Sequence, residues 1–244
     1  MTSYKPMSDK PSVRSPWFWV PSLYFAQGIP YVAVMIVSVL MYKRLGVSNT
    51  DIALYTSWLN LPWVIKPFWS PFVDLLKTKR WWVVTMQLLI GAGLAGVAFT
   101  IPTTFFFQAS LAVFWLLAFS SATHDIAADG FYMLALDSHE QAFFVGIRST
   151  FYRIAIIAGQ GVLVMFAGFL ENSTGNIPLA WSVTFFILGG LFLALFLYHR
   201  YILPLPKGDK PSATVTPSTI LKEFFATFAS FFKKKQAFVA ILFM

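Results

Sequence analysis

Asp125 and Asp129 stand four residues apart in Ser120-Ser-Ala-Thr-His-Asp-Ile-Ala-Ala-Asp129, inside a hydrophobic stretch. On a helix this spacing puts both carboxylates on one face, a turn apart. Hydrocarbon disfavours an ionised side chain by about 2.5–3.5 kcal/mol on insertion scales, so an acid kept in such a stretch marks a candidate functional site. Cations lie within reach in the sequence: Arg148 and Arg153 downstream, and Lys66 alone in an apolar run upstream. A carboxylate that loses a cationic partner can take up a proton, which is the chemistry of proton-coupled transport. The competing reading is a static network in which Asp125, Asp129, Arg148 and Arg153 pin two helix ends together. If the turn between their two helices centres near residue 139, Asp125 and Arg153 lie at equal depth and could form an ion pair.

Other polar residues extend the candidate site. Tyr24, Gln27, Tyr31 and Ser38 recur on roughly one helical face, and Arg153 and Gln160 share another. Lys66 must snorkel, pair with an acid or meet an anion. Gln27, Tyr31, Lys66, His124 and Gln160 are therefore the candidate cavity residues. Asp74, Asp125, Asp129, Arg148 and Arg153 are the candidates for proton coupling or gating. Polar side chains in membrane helices also bond one another, so interhelical hydrogen bonding is the alternative for each.

A membrane enzyme using His124, Asp125 and Asp129 as metal ligands or acid–base groups is a distinct possibility in chemistry. The pattern gives it little support. The three histidines, His124, His139 and His199, are scattered, the chain has no cysteine, and no nucleophile is evident. Neither catalysis nor a cofactor or metal is expected.

The elements that must carry these residues follow from composition. With 57% hydrophobic, 18% aromatic and 11% charged residues, the chain has too little polar surface for a soluble globule. The net charge of +8 sits in short clusters between apolar runs rather than along one stripe, which argues against nucleic acid as a partner. Six apolar stretches, near 17–42, 51–75, 81–101, 105–134, 142–170 and 179–201, each approach the roughly 20 residues a bilayer requires. All are expected to be helices. Gly28 and Pro30 should bend the first, and Pro62 and Pro67 the second. Glycines 91, 93 and 96 should allow close helix packing.

Lys5, Lys10, Arg14, Lys77, Lys79, Arg80, Arg200, Lys207 and Lys210 fall on one side of this arrangement, against Lys43 and Arg44 on the other. That bias puts the N-terminus in the cytoplasm. The chain divides into a cytoplasmic tail (1–16), a transmembrane bundle (17–201), a cytoplasmic linker (202–235) and a short apolar run (236–244). Within the linker, Phe224, Phe225, Phe228, Phe231 and Phe232 recur at helical spacing beside lysines, the pattern of an amphipathic helix on a membrane surface. The final run is too short to cross a bilayer, so the chain is expected to be a fragment ending as a seventh span begins, the alternative being an interfacial tail.

Six spans, a long connector and a seventh start resemble the N-terminal half of a major facilitator superfamily transporter. Gln27-Gly-Ile-Pro-Tyr31, Lys66-Pro-Phe-Trp-Ser-Pro-Phe-Val-Asp74, Thr123-His-Asp-Ile-Ala-Ala-Asp129, Phe151-Tyr-Arg153 and Phe231-Phe-Lys-Lys-Lys235 resemble the muropeptide permease and acetyl-CoA transporter branch. The resemblance implies an all-α, multi-pass protein of the bacterial inner membrane whose cargo cavity is completed by a missing C-terminal six-helix bundle. It further implies import of sugar-linked muropeptides by proton symport in peptidoglycan recycling. Transport of another anionic conjugate such as acetyl-CoA, or a half-transporter acting as a homodimer, are the alternatives. The loop after the second span departs from the superfamily pattern, with Ser70 at a usual glycine position and Leu75 directly after Asp74.

Overall fold

The computed structural model describes residues 15–210 and Phe225. The expected linker helix, the seventh-span start and the N-terminal tail before residue 15 lie outside the described residues. Within them every regular element is helical, and five helices are long and apolar enough to cross a membrane. These are α1 (Pro16–Arg44), α5 (Lys79–Thr100), α6 (Phe106–Ala135), α7 (Ser138–Thr174) and α8 (Ile177–Ile202).

Side-chain oxygens set several starts. Thr78 accepts from the Trp81 N–H ahead of α5, Asp137 and Glu140 form a reciprocal capping box at α7, and Asn176 accepts from Leu179 at α8. Gly175, in the left-handed region at φ 64°, ends α7.

Proline shapes the rest. In α1, Pro30 cannot donate to the preceding turn, yet the helix runs through it and widens to a π turn at Ala33–Val37. The second apolar stretch, expected as one bent helix near 51–75, is instead a string of short pieces. They are α2 (Asn49–Thr56), α3 (Leu61–Val64) and α4 (Ser70–Leu76), joined by 3₁₀ turns at Ser57–Asn60 and Lys66–Phe68. Pro62, Pro67 and Pro71 each remove an N–H within ten residues of chain, too closely spaced for one continuous ladder of hydrogen bonds.

Helix α5 packs between α6 and α8, while α1 packs against α6, α7 and, more lightly, α8. The backbones of α6 and α7, joined by a short turn, diverge on either side of α1, and their side chains meet near the turn, as at Tyr132–Gln141. At the α1–α7 crossing Gly28 lies against the backbone of α7, where an added Cβ would come within 2.7 Å of Ala155 Cβ. Gly91 and Gly189 bring α5 and α8 together in the same way, as the glycine pattern on α5 predicts. Buried apolar residues form one group around Ile29, Val34, Met41, Leu94, Phe114 and Phe185, and another around Trp19, Leu23, Val83 and Phe131. Outward faces remain apolar: Ile157, Val162, Met165 and Phe169 of α7 are all exposed, the surface that hydrocarbon would cover.

Candidate functional site

Helix α6 presents its two acids to two different partners. Asp125 is buried, and its Oδ2 accepts from the Lys66 ammonium at 2.8 Å. Lys66 reaches it from the first residue of the Lys66–Phe68 turn, so a break in helical structure positions the cation. The buried indole N–H of Trp63, on neighbouring α3, is the further donor beside the Asp125 carboxylate, although it makes no close hydrogen bond to Oδ1. Asp129, one turn on and half exposed, accepts from the Tyr24 hydroxyl at 3.0 Å and from Arg148 Nη1 at 3.1 Å. The same Arg148 nitrogen donates to the Tyr24 oxygen at 2.9 Å. The guanidinium also lies over the Tyr24 and Tyr132 rings, 5.2 and 5.0 Å from their centres, a cation–π arrangement that fixes its plane.

Tyr24, Asp129 and Arg148 line a cavity of about 280 Å³ together with Gln27, Tyr152 and Arg153, whereas Asp125 and the expected cavity residue Lys66 are not in its lining. Gln27 brings a buried carbonyl oxygen with no partner among the described residues. Arg153 contributes an exposed side chain. A buried unpaired acceptor is unfavourable by about 1–3 kcal/mol, so Gln27 Oε1 is a position that favours a hydrogen-bond donor.

The expected Asp125–Arg153 ion pair is not formed. Equal depth is not enough: α1 lies between α6 and α7, so only residues nearer their shared turn, Asp129 and Arg148, can meet. Asp125 is left to Lys66. His124 is fully buried and bonds to Gln87 across the α5 contact, on a different side of α6 from the cavity. Tyr31 stacks edge-on against Trp63, 5.2 Å between ring centres, and Gln160 is exposed in a π turn of α7. Neither lines the cavity beside Asp129. Asp74, at the end of α4, forms an ion pair with Lys79 at the start of α5.

Two polar networks were not read from the sequence. Ser22, His199, Gln87 and His124 form one chain, with contacts of 2.9, 3.0 and 3.1 Å, joining α1, α8, α5 and α6. An amide in its middle does not readily pass a proton, so the chain ties helices together rather than relaying charge. At the other end of the bundle, Glu171 accepts from Arg44 Nε at 2.9 Å and from the Trp181 indole at 2.7 Å, clasping α1, α7 and α8. Isolated polar residues in apolar helices, Gln87 and Glu171, are the one signal that could have located them.

Residues 25–243 match the profile of the BT1 family. The chain belongs to the BT1 family. Its similarity to curated proteins runs nearly its full length. It is 28% identical to AmpG 4 of Rickettsia conorii over 239 residues, covering 90% of this chain and 53% of that protein. It is 24% identical to the anhydromuropeptide permease of Escherichia coli over 228 residues, covering 90% of this chain and 43% of the permease. An uncharacterised protein of Schizosaccharomyces pombe matches at 28% over 145 residues, 53% of this chain and 28% of its own length. The chain thus spans about half the length of the curated bacterial relatives it matches. The family match, these relatives and the five long apolar helices make it a multi-pass membrane protein.

Proposed function

We propose that this BT1 family chain forms the N-terminal bundle of a secondary active transporter that imports muropeptides, or related sugar–peptide wall fragments, with protons. The observation that carries this reading is the pairing on α6. Two acids a turn apart each hold a cation from a different element, Lys66 from the broken stretch and Arg148 from α7, and the Asp129–Arg148 pair lines a polar cavity. The broken stretch 49–76 serves as the sixth crossing, giving the half-bundle of a major facilitator superfamily fold, with the cavity closed by a second six-helix bundle. The basic clusters put the N-terminus in the cytoplasm of a bacterium's inner membrane. The name of the Escherichia coli relative supports muropeptide as cargo.

In this mechanism Lys66 and Asp125 are paired in one state. When the broken stretch moves relative to α6, Asp125 loses its counter-charge and takes a proton on its carboxylate. Gln27 Oε1 accepts from a hydroxyl or amide of the cargo, and the exposed Arg153 side chain meets a cargo carboxylate. Asp129, Arg148 and Tyr24 hold α6, α7 and α1 in register around the cavity.

Uptake into membrane vesicles of labelled anhydromuropeptide, set against labelled acetyl-CoA, tests the cargo. Saturable uptake of the muropeptide, unaffected by excess acetyl-CoA, is expected. Uptake of acetyl-CoA with none of the muropeptide would overturn the assignment.

A further inference from the structure

A second cleft lies away from the acid pairs, between the first turns of α5 and the last turns of α8, with a volume of about 520 Å³. Its rim is cationic. Arg80 Nε donates to the Leu203 carbonyl at 3.3 Å and its Nη2 to the Arg200 carbonyl, which fixes the guanidinium across the end of α8. The Arg200 side chain is exposed on the same rim, and the Lys77 ammonium stands 5.9 Å from the centre of the Trp81 ring. Among the described residues one acid, Asp209, reaches the cleft, but both its oxygens accept from backbone N–H groups at the start of α5, from Lys79 at 2.6 Å and Arg80 at 3.0 Å. Its charge is matched by the helix N-terminus.

The wall below the rim is apolar. Leu88 and Phe196 line it beside Leu205, which is 80% exposed. Trp81, at the boundary between rim and wall, has the amphipathic ring that favours the headgroup level of a bilayer. A cationic rim at this depth continuing into an apolar wall complements a molecule with an anionic head and hydrocarbon tails. A soluble phosphate ion would meet only the rim.

We propose that this cleft binds an anionic phospholipid, its phosphate at the exposed Arg200 and an acyl chain along Leu88, Phe196 and Leu205. The site requires only that α5 and α8 cross the bilayer, and it stands independently of cargo and proton coupling.

Native mass spectrometry of the purified protein tests it, in detergent containing equal amounts of phosphatidylglycerol and phosphatidylcholine with identical acyl chains. The wild type retains phosphatidylglycerol over phosphatidylcholine, and Arg200→Gln lowers that preference about fivefold, the factor one basic residue supplies beside an anionic headgroup. Lys43→Gln, at the opposite end of α1, leaves the preference unchanged. If Arg200→Gln fails to fold by circular dichroism, the wild type alone decides: its preference falls as salt is raised and survives excess inorganic phosphate. Equal retention of the two lipids by the wild type, displacement by inorganic phosphate, or the same loss in Lys43→Gln would each overturn the site. Occupation of the cleft by this chain's own residues after 210 would show as equal retention.

Discussion

Lys66 reaches Asp125 at 2.8 Å from a stretch whose longest helix has eight residues, so the least regular part of the bundle supplies the counter-charge to a buried acid. A rigid, straight second helix would give this pair little freedom to part. The chain of short elements allows the lysine to move without unfolding α6, and this links the break in secondary structure to the proposed proton step.

Replacing one member of the pair strands the other. Asp125→Asn and Lys66→Gln should each destabilise the protein by about 1–3 kcal/mol, the effect of leaving a desolvated polar group unmatched. The double variant should lose clearly less than the sum. Thermal unfolding of all three in one detergent gives the coupling, and strict additivity would show that the contact contributes nothing.

Tyr24 links Arg148 to Asp129 through a single oxygen. Tyr24→Phe keeps the ring under the guanidinium and deletes the hydroxyl, so it should cost about 1 kcal/mol of stability. Arg148→Lys keeps the charge but loses the planar stacking on Tyr24 and Tyr132, and should be the more damaging of the two. The same unfolding assay ranks them, and the reverse order would contradict the stacking argument.

Gly28 sits where α1 meets the backbone of α7, and an added Cβ would lie 2.9 Å from the Tyr152 carbonyl oxygen. Gly28→Ala should destabilise by about 1–3 kcal/mol through overpacking. At Gly168 nothing lies within 4 Å, and alanine there should stabilise by about 0.5–1 kcal/mol through lower chain entropy. Unfolding temperatures that move the same way in both variants would refute the close-approach explanation.

Gln87 holds His124 with one end of its amide and His199 with the other. Gln87→Leu orphans two buried rings and should cost about 1–3 kcal/mol for each. Because the network ties helices rather than carrying protons, transport per folded molecule should survive the change. Normal unfolding with abolished proton coupling would reverse the assignment.

The apolar pattern placed five long helices within a few residues of where they lie, because each must span a fixed thickness of hydrocarbon. The stretch 49–76 was harder. Its hydropathy reads as one span, while Pro62, Pro67 and Pro71 divide it locally, and the number of prolines in a short interval decides the outcome. In the site, pairing with an acid was already one alternative for Lys66, whereas Asp125 was matched to Arg153 by equating neighbours in sequence with neighbours in space. Helix α1 intervenes, and nothing local in α6 or α7 encodes that. Ser22, Gln87, His124 and His199 come from four helices at unrelated spacings, so no periodicity could reveal their meeting.

The most direct measurement is cargo-driven proton flux in membrane vesicles, comparing the wild-type transporter with Asp125→Asn and Asp129→Asn at equal amounts of folded protein. The account predicts that the wild type moves protons with labelled muropeptide and that Asp125→Asn loses this coupling, while Asp129→Asn is impaired less. Undiminished uptake and proton flux in both variants would contradict it.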